Sequence, residues 1–353
     1  MQAQQSISAH RGTAENPPNR FEKIQLQPDE DWNPEDNILP RTKFFKDDSQ
    51  TVIARNDSPD IGFRASLNPY RGCEHGCIYC YARPTHEYLG FSAGLDFESK
   101  IMVKASAPEL LRKELSSVKW EPQVVFMSGV TDCYQPVERK LRLTRRCLEV
   151  LAQFRNPVFI ITKNRLVTRD IDLLSELAKH HAVAVWLSIT TLDPEMRKIM
   201  EPRTSPPAAR LAAMDELARA GIPVGVNVAP IIPGLTDHEI PAILKAAAAV
   251  GATAAGYTVV RLPHAVAPLF ETWLEIHFPA RKEKVLNRLR AMRGGKLYDA
   301  QWDKRFSGEG PFAEQIAQMF EVARRKAGIR DDRSELSTSS FRRAADAQLS
   351  LFS

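Results

Sequence analysis

The sequence predicts an α/β fold: a partial (βα)6 barrel with an N-terminal extension and a C-terminal helical cap. Three observations predict it. Six short apolar runs, at residues 63–67, 123–127, 157–161, 182–188, 223–228 and 254–260, are spread through the middle of the chain. Five stretches with helical apolar spacing, at 106–117, 138–153, 169–180, 206–220 and 238–250, separate them. Helix punctuation falls between the two patterns. Ser106, Asp170 and Thr236 or Asp237 stand where an N-cap is expected, and Gly221 and Gly251 where a helix C-terminus needs positive φ. Short strands joined by helices imply βα units and a parallel sheet, because parallel neighbours need a long crossover. In such barrels the chemistry gathers at the C-terminal ends of the strands.

Residues 1–60 form the extension. Residues 1–40 are polar, Pro-rich and non-periodic and read as a disordered or surface-wrapped arm, whereas 41–59 can pack a strand or two on the core. Residues 61–264 are the barrel. In 265–328, apolar positions such as Trp273, Ile276, Val285, Leu289, Ile316 and Phe320 repeat with helical spacing, which predicts a cap on the open side of the barrel. Residues 329–353 read as a flexible polar tail.

The chain has 353 residues, 43% hydrophobic and 26% charged, the balance of a globular protein. No apolar run is long enough to span a bilayer, and the start carries no basic head followed by an apolar stretch, so the expected compartment is the cytoplasm. A net charge of +5 is compatible with a phosphate-bearing partner and equally with a solvated basic surface. Five cysteines, three of them within eight residues, argue against a disulfide framework and for a metal or cluster site.

That cluster reads Cys73-x3-Cys77-x2-Cys80, in a glycine-bearing loop just after the first strand. Thiolates are the ligands of a four-iron cluster, which takes four of them; three cysteines leave one iron open for a small molecule. The alternative is a zinc site with His75 or His86 as fourth ligand. Against it, no paired second C-x2-C half is present, and Cys133 and Cys147 fall on separate predicted elements.

The C-x3-C-x-aromatic-C pattern, with Tyr79 as the aromatic, resembles the signature of the radical S-adenosylmethionine (SAM) superfamily. More narrowly, residues 68–88 (NPYRGCEHGCIYCYARPTHEY) resemble the spore-photolyase-like, DNA repair photolyase-like branch, and the resemblance extends over roughly residues 60–265. It implies a radical SAM barrel, with Cys73, Cys77 and Cys80 holding a [4Fe-4S] cluster. SAM would be chelated at the open iron and cleaved reductively to a 5′-deoxyadenosyl radical, with flavodoxin or ferredoxin as electron donor. By the same resemblance Tyr79, Thr131, Asp132, Lys163, Ser188, Asn227 and Ala229 meet SAM, and residues 259–261 close its adenine side. Each has a plainer alternative: Asp132 a loop cap, Lys163 a solvated lysine, Ser188 a turn former, Asn227 a core amide. The branch also implies a hydrogen-returning cysteine helped by tyrosines beside the third cluster cysteine. Tyr79 and Tyr81 match those tyrosines. The cysteine does not align cleanly; Cys133 falls just past Asp132, which leaves lesion repair by this route open. Cys147, on an amphipathic stretch, reads as core.

Several cations and rings remain. Arg203 is a candidate for a substrate phosphate or the SAM carboxylate. Arg71, Arg83 and His86 border the cluster loop, and Tyr70, Tyr81 and Tyr134 are candidates to stack on bases. The last residues, Gln348, Leu349, Ser350, Leu351 and Phe352, resemble the peptide by which bacterial DNA-replication and repair proteins dock on the sliding clamp. The expectation is therefore a radical SAM lyase acting on nucleic acid, in DNA lesion repair or base modification. The alternatives are a radical SAM enzyme for a protein or small molecule, and a non-catalytic Fe–S or zinc protein recruited to DNA.

Overall fold

A computed structural model describes residues 11–13, 15–22, 41–302, 304–330 and 335–343. In chain order the elements are β1 (Lys43–Lys46), β2 (Ile53–Arg55), β3 (Ala65–Leu67), β4 (Tyr70–Arg71), α1 (Leu95–Ser99), β5 (Lys100–Val103), α2 (Ala107–Ser116), β6 (Val125–Met127), α3 (Glu138–Leu141), α4 (Leu143–Phe154), β7 (Val158–Thr162), α5 (Ile171–Ala178), β8 (Val183–Ser188), α6 (Pro194–Met200), α7 (Pro207–Arg219), β9 (Val224–Ile231), α8 (Ile240–Ala249), β10 (Ala254–Val259), α9 (Val266–His277), α10 (Pro279–Ala291) and α11 (Pro311–Lys326).

All six apolar runs are strands of one sheet, in the order β10-β9-β8-β7-β6-β3-β2. From β3 to β10 every pairing is parallel, and β2 adds antiparallel to the outer side of β3. The strands are covered on both faces, which is why β8 (VAVWLS) is buried along its whole length. On one face the rings of Phe63, Phe126, Phe159 and Trp186 follow one another at centroid separations of 4.0, 5.8 and 5.5 Å. Trp186 fits only because glycine stands opposite it: a Cβ on Gly225 would lie 2.4 Å from its ring.

One predicted helix is broken. The stretch 138–153 divides into α3 and α4 at Arg142, whose φ is +51°. The cause is the buried Glu138. Its carboxylate accepts from the Thr144 amide at 3.0 Å and the Arg145 amide at 3.4 Å, so it caps α4 from outside the helix. A second, three-stranded sheet has the order β1-β5-β4; β1, like β2, falls in the 41–59 stretch expected to supply a strand or two, whereas β4, β5 and the short helices α1 and α6 have no counterpart in the predicted elements.

The C-terminal region flanks the last barrel strand. Arg330 bridges to Ala254 at the start of β10, and the Val259 amide donates to the Phe306 carbonyl at 2.8 Å. An Arg305–Asp60 ion pair ties it to the chain before β3. The flexible-tail reading is corrected for residues 335–343. Ser337 N donates to His181 O and Arg342 N to Phe154 O, both at 2.9 Å, while Phe341 packs on Phe154. Those carbonyls lie just after α5 and at the last residue of α4, at the end of the barrel opposite the strand C-termini. The clamp-like residues 348–352 lie outside the described residues. Among the described residues no helix is long and apolar enough to cross a membrane.

Candidate active site

The three cysteines lie in the loop after β4. Two glycines shape it: Gly72 (φ +78°) and Gly76 (φ +67°) take conformations L-residues avoid, and a Cβ on either would strike Phe97 O or the Glu98 carboxylate. The Cys73 amide donates to Phe97 O at 2.9 Å, and the Ile78 amide to Met200 O at 3.0 Å. Beneath the loop, Arg83 and Glu98 form a fully buried ion pair at 2.5 Å. The Arg83 guanidinium also donates twice to the Cys77 carbonyl, at 3.1 and 2.9 Å, and to Ala93 O and Gly94 O. Arg83 therefore positions the loop from below; it does not line an entrance.

The N-terminal arm is part of this construction. Glu98 accepts from the backbone amides of Gly12 at 2.9 Å and Thr13 at 3.2 Å, and Arg11 donates to Glu98 O at 2.8 Å. Further along, Leu95 N donates to Glu15 O, and Arg20 pairs with the buried Glu87 at 2.7 Å. The arm crosses two glycines at backbone contact. A Cβ on Gly12 would lie 1.6 Å from Gly76 O, and one on Gly94 would lie 1.9 Å from Glu15 O.

The donor set fits an iron–sulfur cluster. Cys77 and Cys80 each feel the charge of a neighbouring cluster thiol, and burial pushes the Cys77 thiol up and the Cys80 thiol to about 11, so loading must displace protons. The two histidines proposed as zinc ligands have protein partners, and His75 also hydrogen-bonds to Cys73 itself. His75 sits 3.4 Å from Asp132 through Nδ1 and 3.2 Å from Asn164 through Nε2; His86 Nε2 meets Lys100 O at 2.9 Å. Among the described residues no three His, Cys, Asp or Glu side chains converge on a single-ion site. Three cysteines close in one loop, with no paired second half, suit a four-iron cluster that keeps one iron open.

The strand-end residues come together, though most are already committed to protein partners. Asp132 accepts from Thr162 Oγ1 at 2.7 Å, Lys163 N at 2.8 Å and Tyr134 N at 2.9 Å, besides facing His75. It orients the β7 terminus. Thr131 donates to Gly72 O at 2.7 Å and so holds the cluster loop. Lys163 Nζ donates to Ala229 O at 2.8 Å and lies 5.7 Å from the Tyr79 ring. Ser188 and Asn227 stand opposite each other in the β8–β9 register; Ser188 O accepts from Arg210 at 2.7 Å, and Asn227 is half-buried.

Glu201 is a site residue that no sequence motif marks. It is fully buried and gathers Arg210, Tyr79, Thr190 at 2.7 Å and Lys163 at 3.4 Å. Burial alone would raise its pKa; Arg210 and Lys163 outweigh that and hold the carboxyl below the usual range. In the sequence, the segment 201–207 carries no motif that marks Glu201, and its one evident candidate is Arg203. That arginine pairs with Glu74 at 2.8 Å, so the phosphate-binding expectation for it is corrected.

Of the three residues expected to move hydrogen, Tyr79 is locked against Glu201 and Thr190, and Cys133 is fully buried in the main hydrophobic core. Tyr81 is 43% exposed; its OH donates to Gly129 O at 2.6 Å and its ring carries the Arg261 guanidinium at 4.2 Å. Tyr70 and Tyr134 are fully buried, bonded to Glu138 at 2.5 Å and Asp170 at 3.1 Å, which corrects their stacking role. Arg71 pairs with Asp47 at 2.7 Å.

A six-stranded parallel barrel with three cysteines in the loop after its first strand defines a class, and the sequence profile of the radical SAM superfamily matches residues 67–247: the chain belongs to that superfamily. It is an enzyme family that uses a [4Fe-4S] cluster and SAM. An uncharacterised protein of Mycobacterium tuberculosis is 38% identical over 216 residues, 61% of this chain and 64% of that one; the chain thus spans just under two thirds of that relative's length. The radical SAM Nalpha-GlyT isomerase of Pseudomonas phage M6 is 26% identical over 61% of this chain and 43% of its own. Among solved structures, spore photoproduct lyase complexed with a dinucleoside spore photoproduct superposes with a TM-score of 0.58 over 80% of this chain and 78% of that one, at 16% identity, which shows a shared fold.

Proposed function

We propose that this radical SAM enzyme acts on nucleic acid, in lesion repair or base modification. The observation that carries the reading is the mouth itself. Tyr81, half-exposed and backed by the stacked Arg261, offers a flat cationic surface suited to a base. The fold shared with a lyase solved with a dinucleoside supports it. Cys73, Cys77 and Cys80 would hold the cluster. Bound there, cluster and SAM would supply radical chemistry for hydrogen abstraction from the substrate.

The chain's own residues divide the remaining work. Lys163, Ser188, Asn227 and Ala229 line the strand ends where SAM would lie. Asp132, Thr131 and Glu201 position that lining: Asp132 through the Lys163 backbone, Thr131 through Gly72, Glu201 through Lys163 and Tyr79. Tyr81, exposed at the mouth, would pass hydrogen there, and Cys133 packs the core. Reducing equivalents would come from flavodoxin or ferredoxin.

The test is anaerobic reconstitution followed by measurement of 5′-deoxyadenosine with reductant and SAM, alone and with damaged or intact oligonucleotides. Cys77→Ala is the control and should form none. Stimulation by an oligonucleotide is expected. Stimulation by peptide or small-molecule pools, with none by nucleic acid, would overturn the substrate class and favour the alternative enzyme.

Recruitment by a sliding clamp belongs to the same reading and rests on the sequence of residues 348–352. The described chain ends at Arg343, which is fastened to Trp120 O on the far side of the barrel from the mouth. A clamp engaged by the residues beyond it would leave the mouth free. Full-length protein should bind clamp, and a Leu351→Ala, Phe352→Ala variant should not; equal binding by both removes the motif from consideration.

A further inference from the structure

A groove of about 500 Å³ opens between the turn after β9 and helices α10 and α11, a size suited to a nucleotide-sized group. One wall is Gly234, five residues beyond Ala229 and therefore at most about 18 Å of chain from the strand-end residues. The other wall is a row of cations. Arg281, Lys284 and Arg288 share one face of α10, at i, i+3 and i+7, while Val285, Leu286 and Leu289 are buried on its other side. The floor comes from α11: Phe312, Ile316 and Met319.

Arg288 is spent on Asp237 at 2.9 Å and stacks on the Phe312 ring at 5.2 Å. Arg281 and Lys284 are exposed and make no ion pair among the described residues. The groove thus presents two uncompensated positive charges above an apolar floor. A second basic pocket, lined by Arg142, Arg145 and Arg169, differs: Asp170, Asp172 and Glu138 pair with Arg145 and Arg169 and cancel its charge.

We propose that the α10–α11 groove holds the phosphate backbone of a single-stranded or locally opened polynucleotide, flanking the nucleotide that enters the mouth. Arg281 and Lys284 meet phosphates, and a neighbouring base lies on the Ile316–Met319 floor. The proposal rests on the nucleic-acid reading above and specifies where on the surface that substrate runs. Phosphate contacts give affinity that falls with salt, whereas a base on an apolar floor adds a salt-independent part.

The experiment is fluorescence anisotropy of a labelled single-stranded oligonucleotide with the reconstituted full-length protein, under anaerobic conditions and across a salt series. Arg281→Glu, Lys284→Glu is compared with wild type and with Lys119→Glu, Lys179→Glu. The control pair removes two exposed cations at the opposite end of the barrel, so all variants share one net charge. The groove variant should bind at least tenfold more weakly at low salt, with a log K against log salt slope shallower by about 1.4, two single-strand phosphate contacts. The control pair should bind like wild type. Equal weakening by both pairs would show that only net charge matters and overturn the groove. Wild-type binding unaffected by Arg281→Glu, Lys284→Glu would overturn the groove and leave the nucleic-acid reading standing. Absence of salt-dependent binding by wild type would overturn both. An acidic peptide that displaces the oligonucleotide at lower concentration than unlabelled oligonucleotide does would reassign the groove to protein.

Discussion

Two arginine-bearing regions of the molecule use charge in opposite ways. Under the cluster loop, Arg83 is fully buried, paired with Glu98 and bonded to three carbonyl-bearing residues. In the α10–α11 groove, Arg281 and Lys284 are exposed and unpaired among the described residues. A buried, saturated cation can only hold backbone in place, while an exposed, unsaturated one is available to a ligand. Charge at a barrel mouth is thus not in itself a sign of binding; what matters is whether its partners are already inside the protein.

The comparison can be broken most severely at Glu98. Glu98→Gln leaves the Arg83 guanidinium buried without a counter-charge and weakens the hold on the Gly12 and Thr13 amides. Removal of one partner of a buried pair costs about 3–5 kcal/mol. Denaturant unfolding of the metal-free protein measures it, and hydrogen exchange should show lost protection at residues 12, 13 and 73–80. A loss below about 1 kcal/mol, the range of solvated pairs, would mean the pair does not bear on the loop.

His86 gives a pH-dependent version of the same test. Burial lowers its pKa to about 4, and its buried Nδ1 has no hydrogen-bond partner among the described residues, so a second ring proton would be unsatisfied. The folded state therefore keeps the ring neutral while the unfolded chain takes up a proton below pH 6.5. Stability from this group is complete above 6.5 and declines as pH falls toward 4, by up to about 3 kcal/mol. His86→Gln retains a donor for Lys100 O and does not titrate. The difference between wild type and variant should narrow steadily from pH 7 to pH 4.5; a constant difference would place the titration elsewhere.

The barrel was legible because each strand is an apolar run short enough to be a strand, and because Gly221 and Gly251 close helices at positive φ; Ser106, Asp170 and Thr236 stand at helix starts but make no side-chain capping bond. The cysteine triad was legible because its ligands are neighbours in sequence. The committed state of the surrounding residues was not. Asp132, Arg203 and Tyr79 are at the predicted strand ends and loops, yet their partners are Lys163, Glu74 and Glu201, which are 31, 129 and 122 residues away. No local pattern reports such pairings. The fastening of the arm was hidden for a related reason: polar, Pro-rich composition is compatible with a surface-wrapped segment, and says nothing of a buried carboxylate 85 residues on that accepts its amides.

The arm supplies a gentler perturbation. Gly12→Ala places a Cβ 1.6 Å from Gly76 O, so arm or loop must move, at about 1–3 kcal/mol for a forced overlap of this kind. Gly62→Ala is the matched control: nothing lies within 4 Å of its Cβ, and the change should be neutral or stabilising by at most about 1 kcal/mol. Unfolding midpoints and the rate of iron loss to a chelator should separate the two variants. Identical behaviour would show that the arm lies on the loop without fastening it.

The smallest expected effect falls on the groove and sharpens the contrast from the other side. Arg281 and Lys284 have no carboxylate to lose, and their side chains are exposed, so Arg281→Ala and Lys284→Ala should each shift unfolding by no more than about 0.5 kcal/mol. Arg288→Ala is the internal comparison on the same helix face, because it removes both the bond to Asp237 and the stacking on Phe312. It should cost more than either neighbour. If the three substitutions cost the same, pairing does not distinguish cations on this face, and the inference from an unpaired charge to an available one fails at the place where it was drawn. If only Arg288 matters to folding while Arg281 and Lys284 matter to oligonucleotide affinity, one helix face carries both uses of positive charge, divided by whether a carboxylate is within reach.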